Sequence, residues 1–171
     1  MQMKKDLLNS KGFTLIELLL VIAIIAILAL LIFVALDPAT RFEDARDSRR
    51  FSDVNNILTA IKVDQVDNKG PYMASITSAT ASEIYMIGVC TSGATSTVTG
   101  FTCDTAPTQD ACVSLAGLVT DGYLGSVPVS PNGAATWTAS STGYTIAKTP
   151  SGAVTVRSCE SENTTEITLT R

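Results

Sequence analysis

Glu17 is the acid with the most unusual surroundings in this chain. From Phe13 to Leu36 the sequence is apolar except for Thr14 and Glu17, and Leu18 to Leu36 carries no polar side chain. A carboxylate beside hydrocarbon costs a few kcal/mol when it lies deep in a bilayer. It either snorkels to the interface or pairs with a cation. Elsewhere the chemistry-bearing residues are sparse. The chain has no histidine, so Ser-His-Asp and Cys-His nucleophilic arrangements are excluded. No glycine-rich phosphate loop follows a strand. Glu160 and Glu162 are close in sequence, but the polar C-terminal stretch around them reads as solvated tail charge. Cys90, Cys103, Cys112 and Cys159 all follow the apolar run. Without a C-x-x-C pair or a histidine they do not form a zinc site. An even number in an extracytoplasmic domain implies two disulfides. Three pairings are open, and a hairpin reading favours Cys90 with Cys103 and Cys112 with Cys159.

These residues need elements to hold them. Residues 1–12 are short, polar and basic, with Lys4, Lys5 and Lys11. As a helix, Leu18 to Leu36 would be about 29 Å long, close to the roughly 30 Å hydrocarbon core of a bilayer. The preceding lysines place the N-terminus in the cytoplasm and the bulk of the chain outside. Asp37-Pro38 ends or kinks the helix. Beyond it Phe42, Ala45, Val54, Ile57, Leu58 and Ile61 recur at three- and four-residue steps, as on one helix face. Charges of both signs lie between them, allowing helical pairs such as Asp47 with Arg50 and Arg49 with Asp53. Each is worth about 0.2–0.5 kcal/mol, and the face they line is either solvated or an intersubunit charge zipper. Asn68-Lys69-Gly70-Pro71 is a stop signal. A helix from Phe13 to that point would be about 80 Å long, more than a small domain can cover, so half of it must be buried in something else.

After Pro71 the pattern changes to a β-rich one. Glu83 to Cys90 reads as a strand, Thr91 to Gly100 as a loop, and Phe101 to Cys103 as a returning partner strand. Asp110 to Leu118 reads as a short helix and Val127 to Pro131 as a proline-bounded loop. Tyr144–Lys148 and Ala153–Arg157 flank a Pro-Ser-Gly turn and read as a hairpin. The last dozen residues read as a tail or an edge strand. From Pro71 on, Lys148, Arg157 and Arg171 are outnumbered by Glu83, Asp104, Asp110, Asp121, Glu160, Glu162 and Glu166. That balance argues against nucleic-acid binding, which needs a basic face. Asn163-Thr164-Thr165 matches the N-glycosylation triplet.

The segment Lys11-Gly12-Phe13-Thr14-Leu15-Ile16-Glu17-Leu18 resembles the class III signal of type IV pilins and the related type II secretion pseudopilins. The resemblance covers the leader, the apolar run and its amphipathic continuation. It extends more loosely to Gly122-Tyr123, Val127-Pro128 and the Tyr144 hairpin. It implies an α+β, type IV pilin-like fold: a long N-terminal α-helix, half of it transmembrane, packed on a small antiparallel β-sheet head. Its parts would be a leader at 1–12, a transmembrane and filament-core helix at 13–36, an amphipathic continuation at 37–69 and a disulfide-bonded head at 70–171. A prepilin peptidase would cut between Gly12 and Phe13, and Phe13 would be N-methylated. A secretory signal peptide loses its apolar region; cutting here would keep it. Glycine, lacking Cβ, lets the protease approach the backbone closely. Glu17 would pair with the N-terminal amine of a neighbouring subunit during assembly, and Pro38 would mark a kink or a melted stretch.

The expected product is a structural subunit of an extracellular type IV pilus and not an enzyme, with no cofactor. The alternative is the major pseudopilin of a type II secretion system, and a more remote one is a membrane-tethered binding module. Pseudopilins often carry calcium in a C-terminal loop. Asp104, Asp110 and Asp121 are candidate oxygen ligands, but they lack a calcium-loop pattern, and no metal is expected. The partners would be the peptidase, identical or related pilin subunits in a helical polymer, an inner-membrane assembly platform and, before assembly, the lipid bilayer. The precursor would be a single-pass cytoplasmic-membrane protein that moves to a surface filament or a periplasmic pseudopilus.

Overall fold

The computed structural model describes residues 12–90, 97–98, 101–102, 108–133 and 135–171. The leader up to Lys11, Cys103, Asp104 and most of the loop expected over Thr91–Gly100 lie outside the described residues. The chain divides into two compact units, one ending at Arg41 and the other running from Phe42 to Arg171.

The first unit is built around α1, Leu15–Leu36. Its residues are long aliphatics with alanine, and Thr14 starts it. The Thr14 hydroxyl accepts from the Glu17 N–H at 3.3 Å, and the Glu17 carboxylate accepts from the Thr14 N–H at 2.9 Å. This reciprocal capping box satisfies two of the donors left free at a helix start. The helix ends where Asp37 turns left-handed, at φ 35°. Pro38 then opens the next helix, α2, Pro38–Asp67. Proline is well suited to a first helical position, because its missing N–H has no intrahelical partner there. Asp37 caps this second start: its carbonyl accepts from the Arg41 N–H at 3.4 Å and its carboxylate from the Thr40 hydroxyl at 2.8 Å.

In the second unit, α2 supplies Val54, Ile57, Leu58, Ala60 and Ile61 to the core. All but Ala60 are positions of the three- and four-residue stripe, whose first two members, Phe42 and Ala45, are instead exposed. The helix stops at the Asn-Lys-Gly-Pro signal. Lys69 and Gly70 have φ of 59° and 127°, and Gly70 N–H returns to the Gln65 carbonyl at 2.9 Å. A left-handed residue just past the end lets the chain satisfy terminal carbonyls. A single turn, α3 (Ala74–Thr77), follows.

The sheet contains β1 (Ile84–Ile87), β4 (Thr108–Val113), β5 (Tyr144–Lys148), β6 (Val154–Ser158) and β7 (Thr168–Thr170), in the order β4-β1-β5-β6-β7. The β5–β6 hairpin lies where the alternation placed it, with Ile146 opposite Val156. The C-terminal segment forms an edge strand, Leu169 opposite Val156. Tyr85, Ile87, Val113, Leu115, Leu118, Tyr144, Ile146, Val154, Val156 and Ile167 join the α2 stripe in one core.

Three expectations need correction. The sheet is mixed and not antiparallel, because β1 pairs parallel with β4, Ile87 beside Val113. Parallel neighbours require a long crossover, and 20 residues separate Ile87 from Thr108 in the sequence. Phe101–Thr102, β3, does not return to β1; it pairs with β2, Thr97–Val98. The helix expected over Asp110–Leu118 is strand up to Val113, and only Ala116–Thr120, α4, is helical. Val113 is drawn into the core beside β1, and pairing on that edge outweighs local helix preference. The first strand is also shorter than expected. At Gly88 an added Cβ would come within 2.2 Å of the Ser140 carbonyl oxygen, so the chain leaves the sheet where only glycine fits.

Candidate functional site: the N-terminal signal and a buried ionic clamp

Gly12 and Phe13 precede α1 in non-helical backbone. Among the described residues, no atom lies within 4 Å of where a Gly12 Cβ would stand, and Phe13 is 88% exposed. None of the described residues therefore requires glycine at position 12. Glu17 faces the Thr14 hydroxyl at 2.8 Å as well as its N–H, so in the isolated subunit its charge is held by α1's own first turn. Every described side chain of α1 is exposed. A helix of 22 residues is about 33 Å long. That length and composition suffice to cross a membrane.

Of the charged residues buried among the described ones, Asp47, Arg50 and Asp64 lie on α2 and Glu160 in the C-terminal stretch. Arg50 is fully buried. Its Nη1 reaches Asp47 Oδ1 and Glu162 Oε1, each at 2.7 Å. Nη2 reaches the Pro131 carbonyl at 3.0 Å and Glu160 Oε2 at 3.3 Å, and Nε donates to Ser130 Oγ at 3.2 Å. Glu160, also buried, accepts from the Trp137 indole N–H at 2.9 Å. Arg46 closes a fork on Glu162, Nε lying 2.7 Å from Oε1, with a second contact from Nη2 to Oε2. The Asp47 carboxylate accepts the backbone N–H groups of Glu162, Asn163 and Thr164 at 2.9–3.2 Å. Burial alone would raise the Asp47 pKa; the N–H of Asn163 and the Arg50 guanidinium outweigh it, so the group stays below its ordinary value. The Arg46 hydrogen bond, helped by Arg50, holds Glu162 below its ordinary value too.

This clamp corrects the reading of Glu160 and Glu162 as solvated tail charge. The Asp47–Arg50 pair forms as the spacing suggested, and Arg49 stands 3.9 Å from Asp53. The face is nonetheless neither solvated at Arg50 nor open to a neighbour there. Its partners belong to the chain itself: Asp47, Ser130, Pro131, Glu160 and Glu162. The sequence carried one signal that was not read: Asp47 and Arg50 extend the Val54–Ile57–Ile61 stripe backwards at the same spacing. Beside the clamp, the Tyr144 hydroxyl donates to Asp53 Oδ2 at 2.7 Å. Burial, then that bond, pushes the tyrosine pKa up.

The cysteine pairing differs from the hairpin reading. Cys90 bonds to Cys112, with Cα atoms 5.5 Å apart. The parallel β1–β4 pairing brings these two together, so Cys90 does not pair with Cys103, nor Cys112 with Cys159. Cys159 is also disulfide-bonded. It packs with Cys112 around Met86, Ala135 and Trp137. Among the described residues, no group of three or more His, Cys, Asp or Glu side chains gathers to hold a metal ion. Asp104 and the Asp110 side chain fall outside them, and Asp121 is exposed.

Residues 7–33 match the model of the prokaryotic N-terminal methylation motif. The chain carries a type IV pilin-like prepilin signal. Together with the helical segment from Leu15 to Asp67 and the five-stranded mixed sheet, the arrangement is α+β and pilin-like. The motif supports a precursor of the pilin or pseudopilin type, and it points to a structural protein, to processing by a prepilin peptidase and to pilin-type assembly. The exposed apolar α1 and the motif fit a membrane-anchored precursor. No curated protein and no solved structure matches the chain.

Proposed function

We propose that this chain is the major structural subunit of an extracellular type IV pilus. Prepilin peptidase cuts between Gly12 and Phe13, and Phe13 is N-methylated. The new amine keeps its charge and lies one helical turn from Glu17. During assembly Glu17 exchanges its own Thr14 contacts for the amine of a neighbouring subunit, and Asp37-Pro38 gives the helix a place to bend or melt. The observation that carries this reading is the Gly12–Glu17 signal running directly into α1, every described side chain of which is exposed. In lipid such a helix satisfies its backbone internally; in a filament it exchanges lipid for neighbouring helices. A Thr/Ser-rich head with disulfides favours a cell-surface fibre over a periplasmic secretion piston.

Mass spectrometry of the mature protein is expected to show Phe13 as a monomethylated N-terminus. Sheared surface fractions are expected to contain long fibres of it. The Glu17→Ala variant should be cleaved normally and yield few fibres; fibres at normal yield would refute the pairing. Confinement of the protein to the cell envelope, with protein export lost on its deletion, would instead identify the secretion pseudopilus.

A further inference from the structure

Residues 131–133 lie against the clamp. The Pro131 carbonyl accepts from Arg50 Nη2 at 3.0 Å. Gly133 faces the two glutamates: a Cβ there would come within 2.2 Å of Glu160 Oε1 and 2.8 Å of Glu162 Oε1. Glu160 is buried, and Glu162 is held by Arg46 and Arg50. Only a residue without a side chain fits beside them. The residue before this required glycine is Asn132, which is exposed. Its carboxamide Oδ1 accepts from the Trp137 backbone N–H at 2.9 Å. Trp137 is itself fixed, its indole N–H donating to Glu160 Oε2 at 2.9 Å. Asn132 is thus followed by a peptide nitrogen that no Cβ shields. Its own carbonyl is polarised by a fixed donor, and carboxylates stand beside the next residue.

We infer that Asn132–Gly133 is a self-modification site, at which the folded head converts Asn132 to aspartate and isoaspartate. The Gly133 peptide nitrogen attacks Asn132 Cγ. A new N–Cγ bond forms, and the peptide proton passes to the Glu160 carboxylate. Negative charge gathers on Oδ1, where the Trp137 N–H already points. A fixed donor at a developing oxyanion is among the strongest aids to acyl transfer. The Cγ–Nδ2 bond then breaks, and the glutamate returns the proton to the departing ammonia. Water opens the five-membered imide that remains. Opening at Cγ gives aspartate. Opening at the Asn132 main-chain carbonyl gives isoaspartate, with the chain running through the former side chain. The net change is water taken up and ammonia released, with no other reagent. Either product carries one more carboxylate beside Glu160, Glu162 and Asp47, which share Arg46 and Arg50. The head therefore loses stability as it ages. The site is independent of the pilus reading and holds for any role of the head.

The test incubates the full chain in detergent micelles at 37 °C and follows Asn132 by peptide mapping. Mapping reads the exchange of ammonia for water as a mass gain and separates the two isomers. A synthetic peptide of residues 128–138, with the same Asn-Gly pair and no fold, is the reference. Conversion is expected to be about tenfold faster in the folded chain than in the peptide. Between pH 6 and pH 8 the peptide's rate should climb with hydroxide, whereas the folded chain, which brings its own base, should climb less. Glu160→Gln, checked for a native near-ultraviolet circular dichroism spectrum, should fall to the peptide's rate. Asn132→Gln should stay unmodified at that position and keep its Tm on storage, while the stored parent chain loses about 3 °C. A folded chain that reacts no faster than the peptide would overturn the inference, whether or not Glu160→Gln folds. An undiminished rate in folded Glu160→Gln would overturn it too.

Discussion

Arg50 shows how much a single charge can be asked to hold. It is buried without exposed surface and serves Asp47, Glu160, Glu162, Ser130 and the Pro131 carbonyl together. Removing one member of a buried ion pair strands the others, typically at a cost of roughly 3–5 kcal/mol. Arg50→Met is therefore expected to lose that much in denaturant unfolding, whereas Arg49→Met should change stability by under about 1 kcal/mol, since Arg49 is largely exposed and its pair long. Equal losses from the two would show that the clamp is not the stronger structure. The same residues set an acid limit. Asp47 and Glu162 have folded pKa values below their ordinary ones. Near and below pH 4 the unfolded chain binds protons that the folded chain refuses, so acid favours unfolding. Their contribution is complete above the unfolded values of about 4 and is lost as pH falls through the folded ones. Tm measured from pH 7 to pH 3 should stay flat to about pH 5 and then drop. Glu162→Gln should lower the neutral Tm and shallow the acid slope; an unchanged slope would remove Glu162 from the account.

At the scale of elements, what could be read beforehand was what is local in sequence. The α1 run, the α2 stripe, the Asn68–Pro71 stop and the β5–β6 hairpin each follow from a period or a turn within a few residues. The parallel β1–β4 pair could not be read that way. It joins residues across a long crossover, and the short strand around Cys112 has no periodicity long enough to be told from a helix. Missing that pair also misplaced the disulfide, because Cys90–Cys112 is a consequence of β4 lying beside β1. The clamp was hidden for a related reason. Glu160 and Glu162 are more than a hundred residues from Arg50 in sequence, and only the β6–β7 return brings them to α2. The disulfide closes a separation of 22 residues, for which chain entropy gives a stabilisation of about 3 kcal/mol. Cys90→Ser together with Cys112→Ser should therefore lower stability by roughly that amount while leaving the β5–β6–β7 part protected in hydrogen exchange. Loss of protection in β5 to the same degree as in β4 would mean that the β4–β1 edge is not a separable part of the sheet.

For the whole molecule the decisive contrast lies between the two compact units. Every residue of the main core falls between Val54 and Ile167, and the clamp begins at Arg46. Phe42–Arg171 thus contains its own core, its own buried charge partners and the Cys90–Cys112 bond. The unit ending at Arg41 contributes none of these and instead displays the described side chains of α1 to the surroundings. Such a surface is incompatible with a dispersed state in water, but it satisfies the needs of a helix in lipid or among identical helices. A chain beginning at Phe42 should accordingly be monomeric and soluble after oxidative expression and unfold in one cooperative transition. The full chain should require detergent and associate when the detergent is diluted. Sedimentation of the two proteins, with circular dichroism melts of the shorter one, would decide the matter. Aggregation or non-cooperative melting of the Phe42–Arg171 fragment would mean that the head depends on the apolar unit for its fold. In that case α1 could not be handed from membrane to filament while the head stays intact, and the division of labour between the two units would have to be abandoned.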